Sequence, residues 1–359
     1  MTVLDRLTAE PRVLVVTLRR LGDVLVTTPL VSALKHGLPG ARIDMLVFAG
    51  TEGILAGNPD IDRVMTIPQK PGARASAALI AKLWRRYDLS VSTQSGDRPI
   101  LLAAIAGRAR IGLVPAQGGG WKRALLHASA ATNGATHRVR ELLQLARLLG
   151  IDDTPDVMVP RAAKALPPRQ PYAVLHANPM YRIRRWTDDG WRGLANALRE
   201  RGLAVVVTGG PAPSERDYLD QLWGPVTAVE RTDGQLDWGE LAQLLAGAAV
   251  YVGPDTSMTH LAAASGCPTV AIYGPASPRT MGPWPVGGLR DDWAHAGSIQ
   301  QRGNVFLVQN PALPCMPCDR LGCDNHLDSR SECLDTLSLG AVMRAVEMAL
   351  GRKAARSPA

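Results

Sequence analysis

The chain has 359 residues, with 40 Lys and Arg against 32 Asp and Glu, 46% hydrophobic residues, 27 Pro and 5 Cys. That length exceeds what single cores usually hold, so two domains are expected, while 20% charged residues with ordinary apolar content exclude disordered, collagen-like and coiled-coil chains. The net charge of +8 favours an anionic partner; dispersed arginines, 4% aromatic residues and no zinc-finger, basic-zipper or RNA-recognition signature argue against nucleic acid.

Met1 to Pro11 carries Asp5, Arg6 and Glu10 and lacks the apolar core of a signal peptide, which predicts a cytoplasmic protein with reduced cysteines. Val13 to Val16, apolar and β-branched, reads as a buried parallel strand. Leu18-Arg19-Arg20-Leu21-Gly22-Asp23 then forms a turn before a helix predicted from Val24 to Leu34. A second strand is predicted at Ile43 to Phe48, a helix at Ser76 to Arg86, a third strand at Asp88 to Ser92, and an amphipathic helix from Arg138 to Leu149. Such alternation means a parallel α/β sheet.

Pro155, Pro160, Pro167, Pro168 and Pro171 make the stretch from Thr154 to Tyr172 a stiff connector, and a domain boundary is placed there. The alternation restarts with strands at Ala173 to His176 and Ala204 to Thr208 around a helix at Trp191 to Gly202. Asp237 and Glu240 form a capping box for a helix carrying Leu241, Leu244, Leu245 and Ala248. Val250 to Val252 and Thr269 to Tyr273 are short strands, and a last amphipathic helix begins at Ser338. The longest stretch without Asp, Glu, Lys or Arg, Thr256 to Pro278, contains His260, Gly266, Pro268, Gly274 and Pro275, so no transmembrane helix is expected. Two Rossmann-like domains facing across a cleft are predicted, with ligands beyond the carboxyl ends of the strands. Neither Gly-x-Gly-x-x-Gly nor a P-loop is present, which demotes nicotinamide and P-loop chemistry.

Two constellations carry chemistry. Asp23 stands at a strand-to-helix turn, where it suits either a general base for a hydroxyl nucleophile or a plain helix cap. Gly253 to Ala264 joins a strand to a helix lined with small residues, so amides and helix dipole suit an anion, and His260 lies one turn after Thr256. The bland alternative caps that helix with Asp255 or Thr256 and leaves His260 structural.

Arg20-Leu21-Gly22-Asp23-Val24-Leu25 with Thr28-Pro29, the Trp186 segment, Gly209-Gly210, the Asp255-to-His260 run, and Tyr273-Gly274-Pro275-Ala276-Ser277-Pro278 ending at Trp284-Pro285 occur in order along the chain. Together they resemble glycosyltransferase family 9, the ADP-heptose:lipopolysaccharide heptosyltransferases, and most of all its heptosyltransferase III-like branch. The resemblance implies an α/β GT-B fold: an N-terminal acceptor-binding domain over 1–160, a nucleotide-sugar-binding domain over 161–335, and a C-terminal helix over 336–359 packing back on the N-terminal domain. It implies an inverting, metal-independent transfer of heptose from ADP-heptose to a lipopolysaccharide-core-type glycolipid, at the cytoplasmic face of the inner membrane.

Carried over residue by residue, Asp23 is the catalytic base, with Arg20 and Gly22 beside the acceptor. Asp255, Thr256, Ser257 and His260 match the sugar-nucleotide motif, with Ser257 where the family usually has Gly. Arg184 stands where the family usually has Lys, to neutralise the leaving diphosphate, and Glu215 matches an acidic donor contact. Cys315-x-x-Cys318-x4-Cys323-x9-Cys333 has the spacing of a tetrathiolate site for structural zinc or iron, and resembles the four-cysteine iron site of autotransporter heptosyltransferases. Reduced structural thiols or an adventitious disulfide are the alternative reading. Two rivals stay open: a family-9 transferase with another sugar nucleotide or acceptor, and a sugar-nucleotide-binding protein without turnover.

Overall fold

Val13, Leu14, Val15 and Val16 are fully buried in β1 (Arg12–Thr17) of the computed structural model, which describes residues 3–356 apart from 168 and 227. Burying each such side chain contributes roughly 1.5–3 kcal/mol, and an unbroken apolar run suits a strand covered on both faces. The chain continues through α1 (Leu21–Leu25), α2 (Thr28–Gly37), β2 (Arg42–Phe48), β3 (Arg63–Ile67), α3 (Ala73–Leu83), β4 (Tyr87–Ser92), α4 (Asp97–Ala106), β5 (Gly107–Pro115), α5 (Gly120–Leu125), β6 (Ala128–Thr132) and α6 (Arg138–Arg147). All six strands are parallel, in the order β3-β2-β1-β4-β5-β6. That is the Rossmann order, with its switch point between β1 and β4.

The predicted helix from Val24 to Leu34 is two helices. Pro29 opens α2, and the Thr27 hydroxyl turns back to donate to the Asp23 carbonyl at 2.8 Å. The helix expected to reach Arg86 stops at Leu83, because Arg85 takes a φ of +48°. Three strands of this sheet, β3, β5 and β6, lie outside the predicted set.

The two compact units are Met1–Pro160 and Arg161–Ala359. Pro168 of the connector lies outside the described residues. The second unit comprises β7 (Tyr172–His176), α7 (Asp188–Glu200), β8 (Ala204–Thr208), α8 (Pro213–Trp223), β9 (Val229–Arg231), α9 (Trp238–Gly247), β10 (Val250–Pro254), α10 (Ser257–Ala264), β11 (Thr269–Ile272), α11 (Pro278–Met281), β12 (Ile299–Arg302), β13 (Val305–Val308), α12 (Glu332–Asp335) and α13 (Leu339–Arg356). Its sheet runs β12-β13-β11-β10-β7-β8-β9, parallel except for β12 on β13, with the switch point between β7 and β10. The capping box of α9 closes: the Glu240 amide donates to Asp237 at 2.8 Å and the Asp237 amide to Glu240 at 2.9 Å.

The last helix packs on the sheet of its own unit. Val342, Met343, Ala345, Val346 and Ala349 of α13 are buried in one cluster with Val250, Val270 and Phe306 of the second unit's sheet, so its apolar face is used within that unit. The helix expected over 336–359 is α13. The last three residues of that segment lie outside the described residues.

Candidate functional site

In the first unit, β1 delivers the chain to Arg20, the residue before α1, and Asp23 is the third residue of that helix. Arg20 occupies the N-cap position of α1, so Asp23 lies in its first turn and is not its N-cap residue. Its carboxylate Oδ1 is met instead by Arg19 Nε at 2.9 Å, with the Asp23 side chain 12% exposed and that of Arg19 52%. Gly22 accepts the Val26 amide at 3.0 Å through its carbonyl. Arg19 was absent from the candidates, although its i, i+4 spacing from Asp23 on a helix start is a readable signal.

In the second unit, the candidates gather at the carboxyl ends of β7, β8, β10 and β11. β10 ends at Pro254, and Asp255 and Thr256 lead into α10, which no side chain caps. The first amides of a helix have no intrahelical acceptor and carry the positive end of its dipole. Arg184 reaches this point from a short turn after β7. Its Nη1 donates to the Asp255 carbonyl at 2.9 Å and lies 3.1 Å from the Asp255 carboxylate. Asp255 is buried, and Tyr273, just past β11, donates to the Met281 carbonyl at 2.9 Å with its hydroxyl 3.4 Å from Asp255 Oδ1. Burial and the Asp255 charge push the Tyr273 phenol well above its ordinary value, so it stays a neutral donor.

His260 is buried one turn into α10, its amide donating to the Thr256 carbonyl at 3.3 Å, which places it on the helix side of the same loop. Ser257 opens the helix, half-buried. Gly253 is required by packing: a Cβ there would stand 2.0 Å from the Tyr251 hydroxyl, which shares a 3.0 Å hydrogen bond with Thr259 of α10.

Glu215 accepts the Gly210 amide at 2.8 Å, and a Cβ on Gly210 would come 2.5 Å from its other oxygen. It is therefore folded onto the glycine turn after β8. Beside it His176, at the end of β7, shares a 3.0 Å hydrogen bond with Thr208. Burial holds the His176 imidazole below its ordinary value, against the pull of the Glu215 charge.

The neighbours of Arg184 are fixed elsewhere. Arg185 donates to Asn178 at 3.1 Å and stacks over the Tyr218 ring at 3.8 Å, while Arg182 is exposed. Trp186 is buried, donates to the Leu337 carbonyl at 2.9 Å and meets Trp191 edge-on at 5.2 Å. It fixes the chain two residues after Arg184.

The family model of glycosyltransferase family 9 (heptosyltransferase) matches residues 77–287, well over half of the chain. The chain belongs to glycosyltransferase family 9. It is 29% identical to lipopolysaccharide heptosyltransferase 3 of Escherichia coli K12 over 288 residues, spanning 73% of this chain and 82% of that protein. It is 30% identical to lipopolysaccharide heptosyltransferase 1 of Salmonella typhimurium over 307 residues, spanning 76% of this chain and 90% of that protein. The structure of E. coli heptosyltransferase WaaC with ADP superposes with a TM-score of 0.70 at 21% identity, covering 94% of this chain and 99% of that one. The two Rossmann-like units are thus those of the GT-B fold.

In this family-9 chain the cysteine-bearing segment braces the site. The Ser331 hydroxyl donates to the Ile183 carbonyl at 2.7 Å, beside Arg184. Asp319 accepts the Ser277 amide at 2.7 Å and gives its own amide to the Pro275 carbonyl at 2.8 Å. A Cβ on Gly274 would stand 2.7 Å from Leu334. The four thiols are free, with Cys333 buried, Cys318 half-buried, and Cys315 and Cys323 exposed. Burial and the charges of Cys318, Cys323 and Cys315 push the Cys333 thiol up to about 12. The four thiols do not close a shell: among the described residues no group of three or more His, Cys, Asp or Glu side chains is arranged to hold a metal ion.

Proposed function

We propose that the chain transfers a heptose from ADP-heptose to a glycolipid acceptor of the lipopolysaccharide-core type, with inversion and without a catalytic metal. In this reading the first unit holds the acceptor through Asp23, Arg20 and Gly22, and the second holds the donor through Asp255, Thr256, Ser257, His260 and Glu215. The acceptor is met at the cytoplasmic face of the inner membrane. The observation that carries the proposal is the Arg184 guanidinium held 2.9 Å from the Asp255 carbonyl, at the mouth of a helix with no side-chain cap.

The acceptor hydroxyl loses its proton to Asp23 and its oxygen lone pair bonds to the anomeric carbon. The bond from that carbon to the diphosphate oxygen breaks on the opposite face, and its electron pair leaves with ADP. The developing negative charge needs preorganised positive charge, which Arg184 and the first amides of α10 supply. Arginine in place of lysine keeps the charge and adds a planar fork that matches phosphate oxygens.

The test is incubation with ADP-heptose and lipopolysaccharide truncated in its inner core. ADP release that requires acceptor, a product of inverted anomeric configuration, and a rate unchanged by a metal chelator support the proposal. Binding of ADP without acceptor-dependent release would leave a sugar-nucleotide-binding protein.

A further inference from the structure

The net charge of +8 is concentrated in one place. Between Pro68 and Leu126 there are 10 Lys and Arg against only Asp88 and Asp97, leaving 30 residues of each sign over the rest of the chain. Both carboxylates are engaged: Asp97 lies 2.8 Å from Lys122 Nζ, and Asp88 accepts the Arg12 amide at 3.0 Å and faces Arg108 at 3.9 Å. Lys70, Arg74, Lys82, Arg85 and Arg86 have no carboxylate within ion-pair distance among the described residues.

This segment forms one flank of the first unit. α3 and α4 cover the same sheet face, where Leu83, Leu102 and Ala106 pack with Leu14, Val16 and Leu46, and α5 touches α4. Much of what faces outward is apolar, with Arg74 and Lys82 exposed among it. Ala75, Ala77, Ala78, Ile80 and Ala81 of α3 are exposed, and α3 contains no acidic residue. Trp84 is 62% exposed, Trp121 48%, Leu101 45% and Ile80 37%, which among the described residues are the large exposed hydrophobic side chains of this unit apart from Leu4. Trp84 is held outward: its amide donates to the Ile80 carbonyl at 2.9 Å, and Arg85, at a φ of +48°, donates to the Ile105 carbonyl at 2.9 Å. A left-handed arginine next to an exposed tryptophan is an uncommon way to end a helix.

We propose that the outer face of α3, α4 and α5 docks on an anionic lipid bilayer, with Ile80, Trp84 and Trp121 entering the headgroup boundary and the surrounding cations meeting lipid phosphates. Exposed apolar area rimmed by basic residues, with tryptophans at the boundary, is what an interfacial surface presents. Charge complementarity selects the bilayer over a second copy of the chain, whose identical face would bring like charges together. The contact is peripheral, since among the described residues no helix is long and apolar enough to cross a membrane. α5 follows the carboxyl end of β5 and Asp23 follows that of β1, and the two strands are parallel, so the Trp121 end of the surface lies at the sheet edge that carries Asp23, while Trp84, just before β4, lies toward the opposite edge. The inference rests on this face, and it deepens the functional proposal by naming where the acceptor's membrane is met.

Flotation with phosphatidylcholine vesicles and with mixed phosphatidylcholine–phosphatidylglycerol vesicles tests it. The intact chain should float with the mixed vesicles, less so as salt is raised, and stay behind with the neutral ones. Ile80→Ser/Trp84→Ala and Arg74→Gln/Lys82→Gln/Arg86→Gln should each weaken partition by roughly tenfold or more, with melting temperature and ADP affinity unchanged. Failure to float, or equal flotation of both variants and the parent, overturns the proposal. Concentration-dependent dimerisation abolished by the Ile80/Trp84 variant would assign the face to a second copy and also overturn it. Transfer to a delipidated acceptor should be equal for parent and variants; its absence in all of them would fault the transferase reading and leave the docking result intact.

Discussion

Arg184 meets Asp255 twice, with Nη1 2.9 Å from the backbone carbonyl and 3.1 Å from carboxylate Oδ2. The side chain of Asp255 is 8% exposed and that of Arg184 35%, so the pair joins a buried anion to a cation that still reaches solvent. Such a pair presents positive charge at the start of α10 while keeping the carboxylate from opposing an incoming anion.

Removing the cation therefore has two separable effects. Arg184→Ala should lower turnover by roughly 100-fold or more, the scale of losing one preorganised donor to a developing anion. It should also reduce stability by about 1 kcal/mol, since Asp255 loses a partner. Arg184→Lys should retain turnover within about tenfold, because a point charge keeps most of the attraction while losing the fork geometry. Steady-state kinetics and thermal melting on the same preparations check both. Near-parental turnover in the alanine variant would move the role to exposed Arg182.

Asp23 and Arg19 give a graded pair. Asp23→Asn should keep ADP affinity and lower turnover by roughly 100-fold or more, the range for losing a general base. Arg19→Ala, which removes the 2.9 Å contact to Oδ1, should lower turnover less and leave ADP affinity unchanged, as a positioning residue would. Equal loss from both variants would mean that Arg19 itself touches the acceptor.

The chemistry-bearing loops were the most legible parts of the sequence, because strand, glycine or proline turn, and helix start sit within a few residues of each other. Buried strands of Val and Ile stood out for the same reason. β3, β5 and β6 did not: Arg63-Val64-Met65-Thr66-Ile67 is a short run with arginine and threonine among its apolar residues, β5 mixes glycine and arginine, and β6 reads Ala-Ser-Ala-Ala-Thr. Their strand character comes from pairing with neighbours, which single-strand propensity does not register. Tyr273 beside Asp255, His176 against Thr208 and the Ser331–Ile183 contact join residues 18 to 148 positions apart, and no local pattern encodes them.

His176 ties stability to pH. Burial lowers its folded value from the usual 6.5, so the unfolded chain takes up the proton first as pH falls. Stability should be fully present above about pH 6.5 and decline on acidification through the interval between the unfolded and folded values. Urea midpoints measured along a pH series should show this slope, and His176→Gln should flatten it. A slope identical in the variant would assign it to other groups, of which His127, also lowered by burial, is the next.

The cysteine segment should influence the site directly. Ser331 bonds the turn that carries Arg184, and Asp319 bonds the loop from Pro275 to Ser277, so this segment is not remote from the chemistry. Alkylation at neutral pH should proceed fastest at exposed Cys315 and Cys323 and slowest at Cys333, whose thiol is buried and pushed up to about 12. The thiolate is the reactive form, so the lag at Cys333 should shrink as pH rises. Mass spectrometry of timed alkylation reads the order, and elemental analysis of the same preparation reads the metal. One zinc or iron per chain together with uniform protection of all four thiols would show that the loop closes into a tetrathiolate shell on binding metal. In that case chelation should lower both melting temperature and turnover, through Ser331 and the Arg184 turn.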